Sequence, residues 1–451
     1  MSQTARHPPQ NPRQGHPSAS PLAARYAHVR QQTLMLAAPL GEADCQVQSM
    51  PEASPVKWHL AHVTWFFETF VLERFEADFK PFDANFRVLF NSYYQGVGEQ
   101  HPRAQRGLVT RPDLARVLAY RQAVDQRIAE LLATAQTGGP TAACALLIEL
   151  GMQHEQQHQE LILTDVLHLL SCNPLAPVYQ PRWPLAAVAP LSLQWEAQAG
   201  GLVEIGHHGP GFAFDNESPR HRHWLQPYAL ANRPVSHGEW AQFVADGAYR
   251  SPRWWTAAGW DWVRSQQIEA PLYWRASDSS QGPRQWHSFT LHGLVPIDSA
   301  TPITHISWFE ADAFARWWSA QHPAQPAARL PTEAEWEHAT ESLSVAQLNM
   351  GNFMESGALH PMPAASAQAG LVQLLGDVWE WTASSYLPYP GFMAAEGAVG
   401  EYNGKFMVNQ MVLRGGSCAT PRSHIRSSYR NFFPTDTRWQ FNGLRLARDN
   451  S

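Results

Sequence analysis

The first part of the chain follows a helical pattern of apolar and polar positions. Between 114 and 132, apolar residues recur mostly at spacings of three and four, which places them on one helix face. They are Leu114, Val117, Leu118, Val124, Ile128, Leu131 and Leu132. Gly138, Gly139 and Pro140 end this helix. Further helices are predicted over about 141–170, 24–40 and 57–74, so residues 23–172 are expected to form a four-helix bundle.

The pattern changes after Cys172. Five prolines interrupt residues 173–190, and neither a helix nor a central strand tolerates that density, so we predict an interdomain linker there. In 191–451, glycine, tryptophan and short β-branched runs alternate with polar loops. Helices are predicted only at 307–321 and 331–340, where Thr332 and Glu335 form a capping box. The chain is therefore predicted to be an α+β multidomain protein.

Composition narrows the possible functions. The net charge of -6 argues against nucleic-acid binding, which needs a basic surface. No apolar run approaches the roughly 20 residues of a membrane span. The four cysteines form no CxxC pair, which favours a reducing compartment, so a cytoplasmic protein is expected. Residues 1–22 are rich in Pro, Gln, Ser and Arg and are predicted to be a disordered tail.

A histidine cluster is the main candidate for chemistry. His154 and His158 lie four residues apart in a predicted helix, so they share one face and can hold one ion. Imidazole ligands suit zinc, iron, copper and nickel. The segment WHLAH supplies His59 and His62 as candidates for a third ligand. We favour His62, because His59 is equally compatible with packing or capping.

The same helix contains a literal HExxH motif, which leaves a zinc hydrolase open as an alternative. In that interpretation Glu155 would be the general base. The longer motif of one zinc-protease group needs glycine and histidine where this chain has Leu161 and Thr164. Asp165 and Glu196 are poor candidates for a downstream carboxylate ligand. These departures disfavour the hydrolase.

Several motifs together resemble a known family. His62 in WHLAH, the run HEQQHQE (154–160) and FNSYY (90–94) resemble the DinB-type bundle of hercynine oxygenases. These are the iron(II)-dependent sulfoxide synthases of ergothioneine biosynthesis. RLPTEAEWE (329–337), GDVWEWT (376–382), RGGS (414–417) and GLRL (443–446) resemble the formylglycine-generating-enzyme fold, which is related to C-type lectins. The two resemblances cover nearly all of the chain after the tail.

The resemblance implies a reaction and a set of residues. Hercynine, the trimethylated betaine of histidine, is joined at its imidazole carbon to a thiol, with O2 as oxidant and a sulfoxide as product. Iron(II) is held by His62, His154 and His158. The resemblance also implies a tyrosine near the iron as proton or electron donor, and we favour Tyr94 with Tyr93 beside it. Without the resemblance, both tyrosines are typical of half-buried aromatic residues.

The resemblance also assigns substrate-binding residues. It places Gln157 and the loop with Asn431, Phe432 and Phe433 around hercynine, whose quaternary ammonium suits aromatic faces. Arg103 and Arg106 would receive the thiol donor's carboxylate. Without the resemblance, Gln157 is typical of a solvated helix surface, and Phe432 and Phe433 are typical of ordinary loop packing. Arg103 and Arg106 are then typical of solvated arginines in a surface turn.

The thiol donor is predicted from a departure from the family pattern. Relatives that use γ-glutamylcysteine carry an acidic residue where this chain has Phe433, and this departure favours free cysteine as the donor. Sister activities on a selenium sugar or on histidine itself (selenoneine or ovothiol formation) are disfavoured by the NSYY motif. A noncatalytic lectin-like binding protein would not need the three histidines and the tyrosine pair. Formylglycine generation uses paired cysteines, and Cys418 stands alone in its domain.

Overall fold

The structure is a computed structural model that describes residues 21–134, 141–185, 188–277, 285–341, 343–344, 346–347, 350–364 and 370–450. The N-terminal part is helical. Its α-helices are α1 (Pro21–Ala37), α2 (Glu42–Gln46), α3 (Val56–Phe67), α4 (Glu73–Phe75), α5 (Phe86–Leu89), α6 (Leu114–Thr134) and α7 (Ala142–Ser171). A π-helical turn, Glu68–Leu72, joins α3 to α4. The four long helices α1, α3, α6 and α7 form the predicted bundle.

One predicted boundary differs from the structure. Pro21 and Leu22 open helix α1, so the helix begins inside the predicted tail of residues 1–22. Proline fits there because the first turn of a helix needs no backbone N–H donor. The rest of the predicted tail, and the Gly138–Pro140 helix stop, lie outside the described residues. Helix α7 begins as predicted, and the Thr141 side chain accepts a hydrogen bond from the backbone N–H of Cys144.

Helix α3 is enclosed by the other helices. All twelve of its residues are buried, including Lys57, His59 and His62. Helix α7 approaches it closely at Gly151, where a Cβ would lie 2.5 Å from Cε1 of Phe67. Glycine inside a helix costs about 1 kcal/mol relative to alanine. The close approach explains its use here, one turn before His154.

A buried charge network fixes α7 against α1 and α6. The Glu155 carboxylate accepts from Arg30 Nη1 at 2.8 Å, from Thr33 Oγ1 at 2.6 Å and from Arg121. Burial alone raises the pKa of Glu155, but Arg121 and Arg30 lower it to about 2. Arg30 also pairs with Asp125 on α6. Three helices are thus joined by charges that balance one another inside the bundle.

The C-terminal part combines small sheets with helices. Its strands are β1 (Trp195–Gln198), β2 (Gly201–Ile205), β3 (His221–Leu225), β4 (Tyr228–Ala231), β5 (Trp274–Ala276), β6 (Trp286–Thr290), β7 (Gly293–Pro296), β8 (Ala328–Arg329), β9 (Trp379–Ser385), β10 (Met411–Arg414), β11 (Asn431–Phe433), β12 (Asn442–Gly443) and β13 (Ala447–Asp449). They form sheets ordered β1-β4-β13-β8, β11-β10-β9-β12, β2-β3 and β5-β6-β7. The last strand therefore lies inside the first sheet and joins the end of the chain to its domain.

The helices of this part are α8 (His237–Ala245), α9 (Ala257–Ser265), α10 (Trp308–Gln321) and α11 (Glu333–Thr340). The predicted capping box is present, since Thr332 accepts from the N–H of Glu335 and Glu335 accepts from the N–H of Thr332. Ser307 and Glu310 cap α10 in the same way. Short polar caps thus define helix ends within a loop-rich domain.

One face of α7 attaches the bundle to the C-terminal domain. Residues at helical spacing along that face hydrogen-bond to it: Gln153 to His424, Gln156 to Ser423, Gln157 to Tyr429, Glu160 to Ser417, Thr420 and Trp379, and Thr164 to Gln440. The spacing of three and four explains why these polar residues form one stripe. The domain interface is therefore polar and runs along the histidine-bearing helix.

No helix in the described part of the chain is long and apolar enough to cross a lipid bilayer.

We expect Glu155→Ala to lower the free energy of unfolding by about 3–5 kcal/mol, because it leaves Arg30 and Arg121 buried without their anion. Urea unfolding at pH 7 measures this. The matched control is Glu73→Ala, which breaks the exposed pair with Arg87 and should cost about 1 kcal/mol or less. Since the folded pKa of Glu155 is depressed, its contribution is present above the ordinary value of 4.5 and is lost as pH falls towards 2. Equal losses in both variants would contradict the buried network.

Candidate metal centre and substrate cavity

Three histidines converge between α3 and α7. One ring nitrogen from each of His62, His154 and His158 lies within 4.8 Å of the others, and all three side chains are buried. The Nε2 atoms of His62 and His154 are 3.2 Å apart. Burial lowers the pKa of His154 to about 3, and burial followed by the other imidazoles lowers the pKa of His62 and His158. The rings are thus neutral, the state in which imidazole binds metals.

Hydrogen bonds fix the tautomers of two of these rings. His62 Nδ1 lies 2.6 Å from the carbonyl oxygen of Phe90, so Nδ1 carries the proton and Nε2 is left with a lone pair. His59 Nε2 donates to Asp165 Oδ2 at 3.0 Å, which makes His59 Nδ1 an acceptor. His158 Nδ1 donates to His59 Nδ1 at 2.8 Å. The Asp165–His59–His158 chain therefore leaves Nε2 of His158 free for a metal ion.

These residues fit a transition-metal ion. Three buried neutral imidazoles converge without a cation or a paired carboxylate among them, and His154 Nδ1 is buried with no partner in the described structure. No other cluster of metal-ligating groups is found in the described ranges. Outer hydrogen bonds such as those of Phe90 and His59 are typical of histidines that bind metals.

The geometry counts against a zinc hydrolase built on HExxH. Glu155 points from α7 towards α1 and α6, where Arg30, Thr33 and Arg121 surround it. Its carboxylate is fully engaged by Arg30, Thr33 and Arg121. It cannot activate water at the histidine cluster from that position.

A cavity of about 460 Å³ lies between the two domains beside the histidine cluster. Eight of the predicted site residues line it: Tyr93, Arg103, Arg106, Gln157, His158, Asn431, Phe432 and Phe433. His62, His154 and Tyr94 lie behind its wall. The cavity thus brings together residues separated by more than 300 positions in the sequence.

The wall from the C-terminal domain is largely aromatic. Asn431–Phe433 form the edge strand β11, where the sequence predicted a loop. Pairing with β10 places Phe432 opposite Val412. Phe432 also stacks on Tyr386 at 4.0 Å between ring centroids. The strand therefore holds these side chains on a rigid support.

Gln157 spans the two domains. Its Nε2 donates to the Tyr429 hydroxyl at 2.7 Å, while its Oε1 is buried without a partner in the described structure. A buried unpaired carbonyl costs about 1–3 kcal/mol. A ligand in the cavity that donates a hydrogen bond would remove this cost.

Arg106 is a buried cation with no ion pair among the described residues. Its guanidinium lies 3.4 Å from the centroid of the Trp58 ring, Nη1 donates to Ser54 Oγ at 2.9 Å, and Nε is unpartnered. Burial and then Arg103 lower the pKa of Arg106 to about 8. Because arginine keeps its proton in proteins, this position favours an anionic ligand. The more exposed Arg103 lies beside it and donates to the Glu52 carbonyl oxygen.

The tyrosine pair lies next to the histidines. The rings of Tyr93 and Tyr94 stack at 4.7 Å between centroids. Tyr94 is buried against Phe66, which itself packs on His154 at 4.9 Å. Burial raises the pKa of both hydroxyls, so both stay protonated.

Sequence reasoning missed several residues of this site. Tyr402 lies 5.9 Å from both His154 and Tyr93 between ring centroids, and it lines the cavity. His424 and Tyr429 complete the wall around Gln157. They come from irregular segments with no motif, so no local pattern indicated them. For His59, the proximity to His62 in WHLAH was a signal, but only the fold assigns its role.

Comparison with known families agrees with this architecture. Residues 25–162 match the DinB superfamily, and residues 197–450 match the sulfatase-modifying factor enzyme 1-like domain. The fold and site thus define a two-domain protein in which a DinB-type bundle carries a three-histidine cluster closed by the second domain. The predicted fold class is confirmed.

Relatives of similar length define the family more closely. The hercynine oxygenase of Mycobacterium tuberculosis is 31% identical over 452 residues, covering 96% of this chain and 99% of the relative. That of Mycolicibacterium smegmatis is 30% identical, covering 95% and 98%. Ergothioneine biosynthesis protein 1 of Schizosaccharomyces pombe is 25% identical over 53% of this chain and 28% of its own length. This chain belongs to the hercynine oxygenase family, so the predicted resemblance is confirmed and the protein is an oxygenase.

We expect His59→Phe to weaken binding of a divalent ion at the histidine cluster by about 10- to 100-fold, because His158 loses the acceptor that fixes its tautomer. Competition between the protein and a chromophoric chelator for cobalt(II) measures the affinity. His237→Phe is the matched control, since His237 is 3% exposed and His59 2%, but it lies in the other domain. A normal affinity in His59→Phe would contradict the role of the Asp165–His59 pair.

Proposed function

We propose that this protein is an iron(II)-dependent sulfoxide synthase that joins the imidazole carbon of hercynine to the sulfur of a thiol. The balanced reaction consumes hercynine, one thiol and one O2, and it yields the sulfoxide and one water. One oxygen atom enters the sulfoxide, and the other leaves as water with the two hydrogens from the C–H and S–H bonds. The observation that carries the proposal is the single cavity that joins His158, the unpaired Gln157 Oε1 and the unpaired Arg106.

Hercynine fits the part of the cavity near α7. Its ring N–H can donate to Gln157 Oε1, which lacks a donor in the protein. Its trimethylammonium group offers no hydrogen bond and is attracted to aromatic faces, which Phe432, Tyr402 and Trp379 supply in the cavity wall. Asn431 lies at the start of the same strand and completes the proposed hercynine site.

Iron(II) held by His62, His154 and His158 would supply the electron-transfer chemistry with O2 that neither organic substrate has. Imidazole ligands alone leave other positions of such an ion open. The protein's contribution is to keep those imidazoles neutral and correctly oriented, through burial, Phe90 and the Asp165–His59 pair.

The proposed thiol site lies on the arginine side of the cavity. Arg106, supported by Arg103, binds the carboxylate of the thiol donor, because a guanidinium pairs with a carboxylate through two parallel hydrogen bonds. Phe433 lines the same cavity and brings no anion for a donor's amino group. We therefore propose cysteine as the donor in preference to γ-glutamylcysteine.

The tyrosine pair is the proposed proton source. Tyr94 stays protonated because it is buried, and Tyr93 at the cavity wall stacks on its ring. Tyr93, which lines the cavity, is the proposed source of the proton that replaces one lost from Tyr94. The ring of Tyr402 lies near that of His154, and its hydroxyl is a second group that can donate a proton.

The reaction itself is the first test. We expect the iron(II)-loaded protein to consume O2 only when hercynine and cysteine are both present, with sulfoxide formed in equal amount. An oxygen electrode and mass spectrometry measure the two quantities. O2 uptake with thiol alone would overturn the proposal. So would failure with both cysteine and γ-glutamylcysteine alongside turnover of a selenium sugar or of histidine.

Two variants separate metal binding from proton donation. His62→Ala should lose both iron binding and sulfoxide formation. Tyr94→Phe keeps the ring packing, so it should retain iron and substrate binding and lose most sulfoxide formation. If Tyr94→Phe retains full activity, Tyr402→Phe tests whether the other hydroxyl donates the proton.

The donor preference is tested by Phe433→Asp. The added carboxylate gives a partner for a donor's amino group, so we expect the ratio of kcat/KM for cysteine to that for γ-glutamylcysteine to fall about tenfold or more. Initial rates with each thiol at saturating hercynine measure this ratio. Phe433→Asn is the matched control, since it has similar size without the charge and should change the ratio less. An unchanged ratio in Phe433→Asp would contradict the proposed role of Phe433.

A further inference from the structure

The orientation of the Gln157 carboxamide decides what the cavity offers to a substrate. A carboxamide has an acceptor end and a donor end, and the two have nearly the same shape. If Oε1 faces the cavity, a bound imidazole must present its N–H there. If Nε2 faces the cavity, the imidazole must present a lone pair. The orientation is set by the chain of hydrogen bonds behind Gln157.

The chain of hydrogen bonds begins at Glu149, whose side chain is partly exposed at the protein surface. Its Oε1 accepts from Arg25 Nη2 at 2.6 Å and from Gln153 Nε2 at 3.1 Å. A carboxylate only accepts hydrogen bonds, so Gln153 must turn its Nε2 towards Glu149. Its Oε1 then faces His424.

The next two links follow from the first. His424 Nδ1 lies 2.8 Å from Gln153 Oε1 and must carry the ring proton. His424 is 1% exposed, and burial together with Arg426 lowers its pKa, so its Nε2 is a lone pair. The Tyr429 hydroxyl, 3.0 Å from that nitrogen, must donate to it. The Tyr429 oxygen can then only accept from Gln157, which turns Nε2 to Tyr429 and leaves the buried, unpartnered Oε1 for a ligand in the adjoining cavity.

We propose that Glu149 sets the direction of a hydrogen-bond relay through Gln153, His424 and Tyr429, which makes Gln157 select the imidazole tautomer whose N–H faces α7. The relay residues are positioning residues, since only Gln157 meets the substrate. The relay crosses between the domains twice, from Gln153 to His424 and from Tyr429 to Gln157. Docking of the second domain therefore sets substrate selection as well as closing the cavity. The inference rests on the proposed function, because it assigns the imidazole of hercynine to this cavity.

The test compares ligands that differ in the ring N–H. The ligands are hercynine and the trimethylated betaines of 4-thiazolylalanine and 5-thiazolylalanine, in each of which a sulfur replaces one ring nitrogen and cannot donate. Dissociation constants are measured by calorimetry on the full-length, iron(II)-loaded protein under nitrogen without thiol. In the wild type, we expect both thiazoles to bind at least about tenfold more weakly than hercynine, because Oε1 would face an atom without a proton.

Glu149→Gln is the decisive variant. A glutamine at 149 can donate as well as accept, so each link can reverse and Gln157 can present Nε2 instead. We expect the ratio of thiazole to hercynine dissociation constants to fall several-fold for the isomer whose ring nitrogen faces Gln157, because its lone pair accepts from Nε2. Arg25→Gln is the matched control, because it removes the same surface ion pair and keeps the carboxylate. Its ratio should equal that of the wild type.

Tyr429→Phe provides a second route to the same result. It keeps the ring and removes the hydroxyl that accepts from Gln157, so the ratio should again fall. General damage to the cavity would weaken all three ligands together and leave the ratio unchanged. An unchanged ratio in both Glu149→Gln and Tyr429→Phe, with hercynine still bound by the wild type, overturns the relay. Failure of the wild type to bind hercynine would instead overturn the proposed function.

Discussion

Helix α7 has to be buried on three sides at once, and the rest of the structure depends on this constraint. With 3.6 residues per turn, neighbouring residues point in different directions. His154 and His158 face α3, Glu155 faces α1 and α6, and the stripe from Gln153 to Thr164 faces the second domain. Such a helix cannot stand at the surface, because each face carries polar groups that need specific partners.

The partners differ in kind on each face. Glu155 is balanced by two arginines, so its charge is stable in the bundle interior. The histidine face is kept neutral by burial, which prepares three lone-pair donors at the cost of desolvation. The domain-facing stripe uses amide, hydroxyl and carboxylate groups that pair across the interface. Ion pairs, histidine lone pairs and hydrogen bonds between the domains are thus separated around one helix.

The cavity is where this pairing is left incomplete. Gln157 Oε1 and Arg106 remain without full partners, although most polar groups near them are satisfied. Buried polar groups are rarely left unpaired unless something else is meant to pair them. Gln157 Oε1 needs a hydrogen-bond donor and Arg106 needs an anion, while Ser92 Oγ and Asn216 Oδ1 in the same wall are also unpaired. Gln157 and Arg106 both lie at the domain interface, so neither domain alone can form the site.

The sequence by itself determined the class of this protein, because its strongest signals are local. Helical periodicity gave the four long helices, spacing of four gave His154 and His158, and the capping box gave the start of α11. His62 and the tyrosine pair were indicated by short motifs.

The tertiary structure alone decided which groups meet across the chain. It pairs Glu155 with Arg30 and Arg121 and places His59 within hydrogen-bond distance of His158. It also brings Tyr402, His424 and Tyr429 to the cavity. Most of those contacts join residues more than 90 positions apart in the sequence. The spacing of hydrophobic and polar residues predicts local structure and does not indicate which distant residues meet. Hydrogen-bond direction was also beyond the sequence, because a glutamine or histidine acquires a fixed donor end only from the neighbours that the fold supplies.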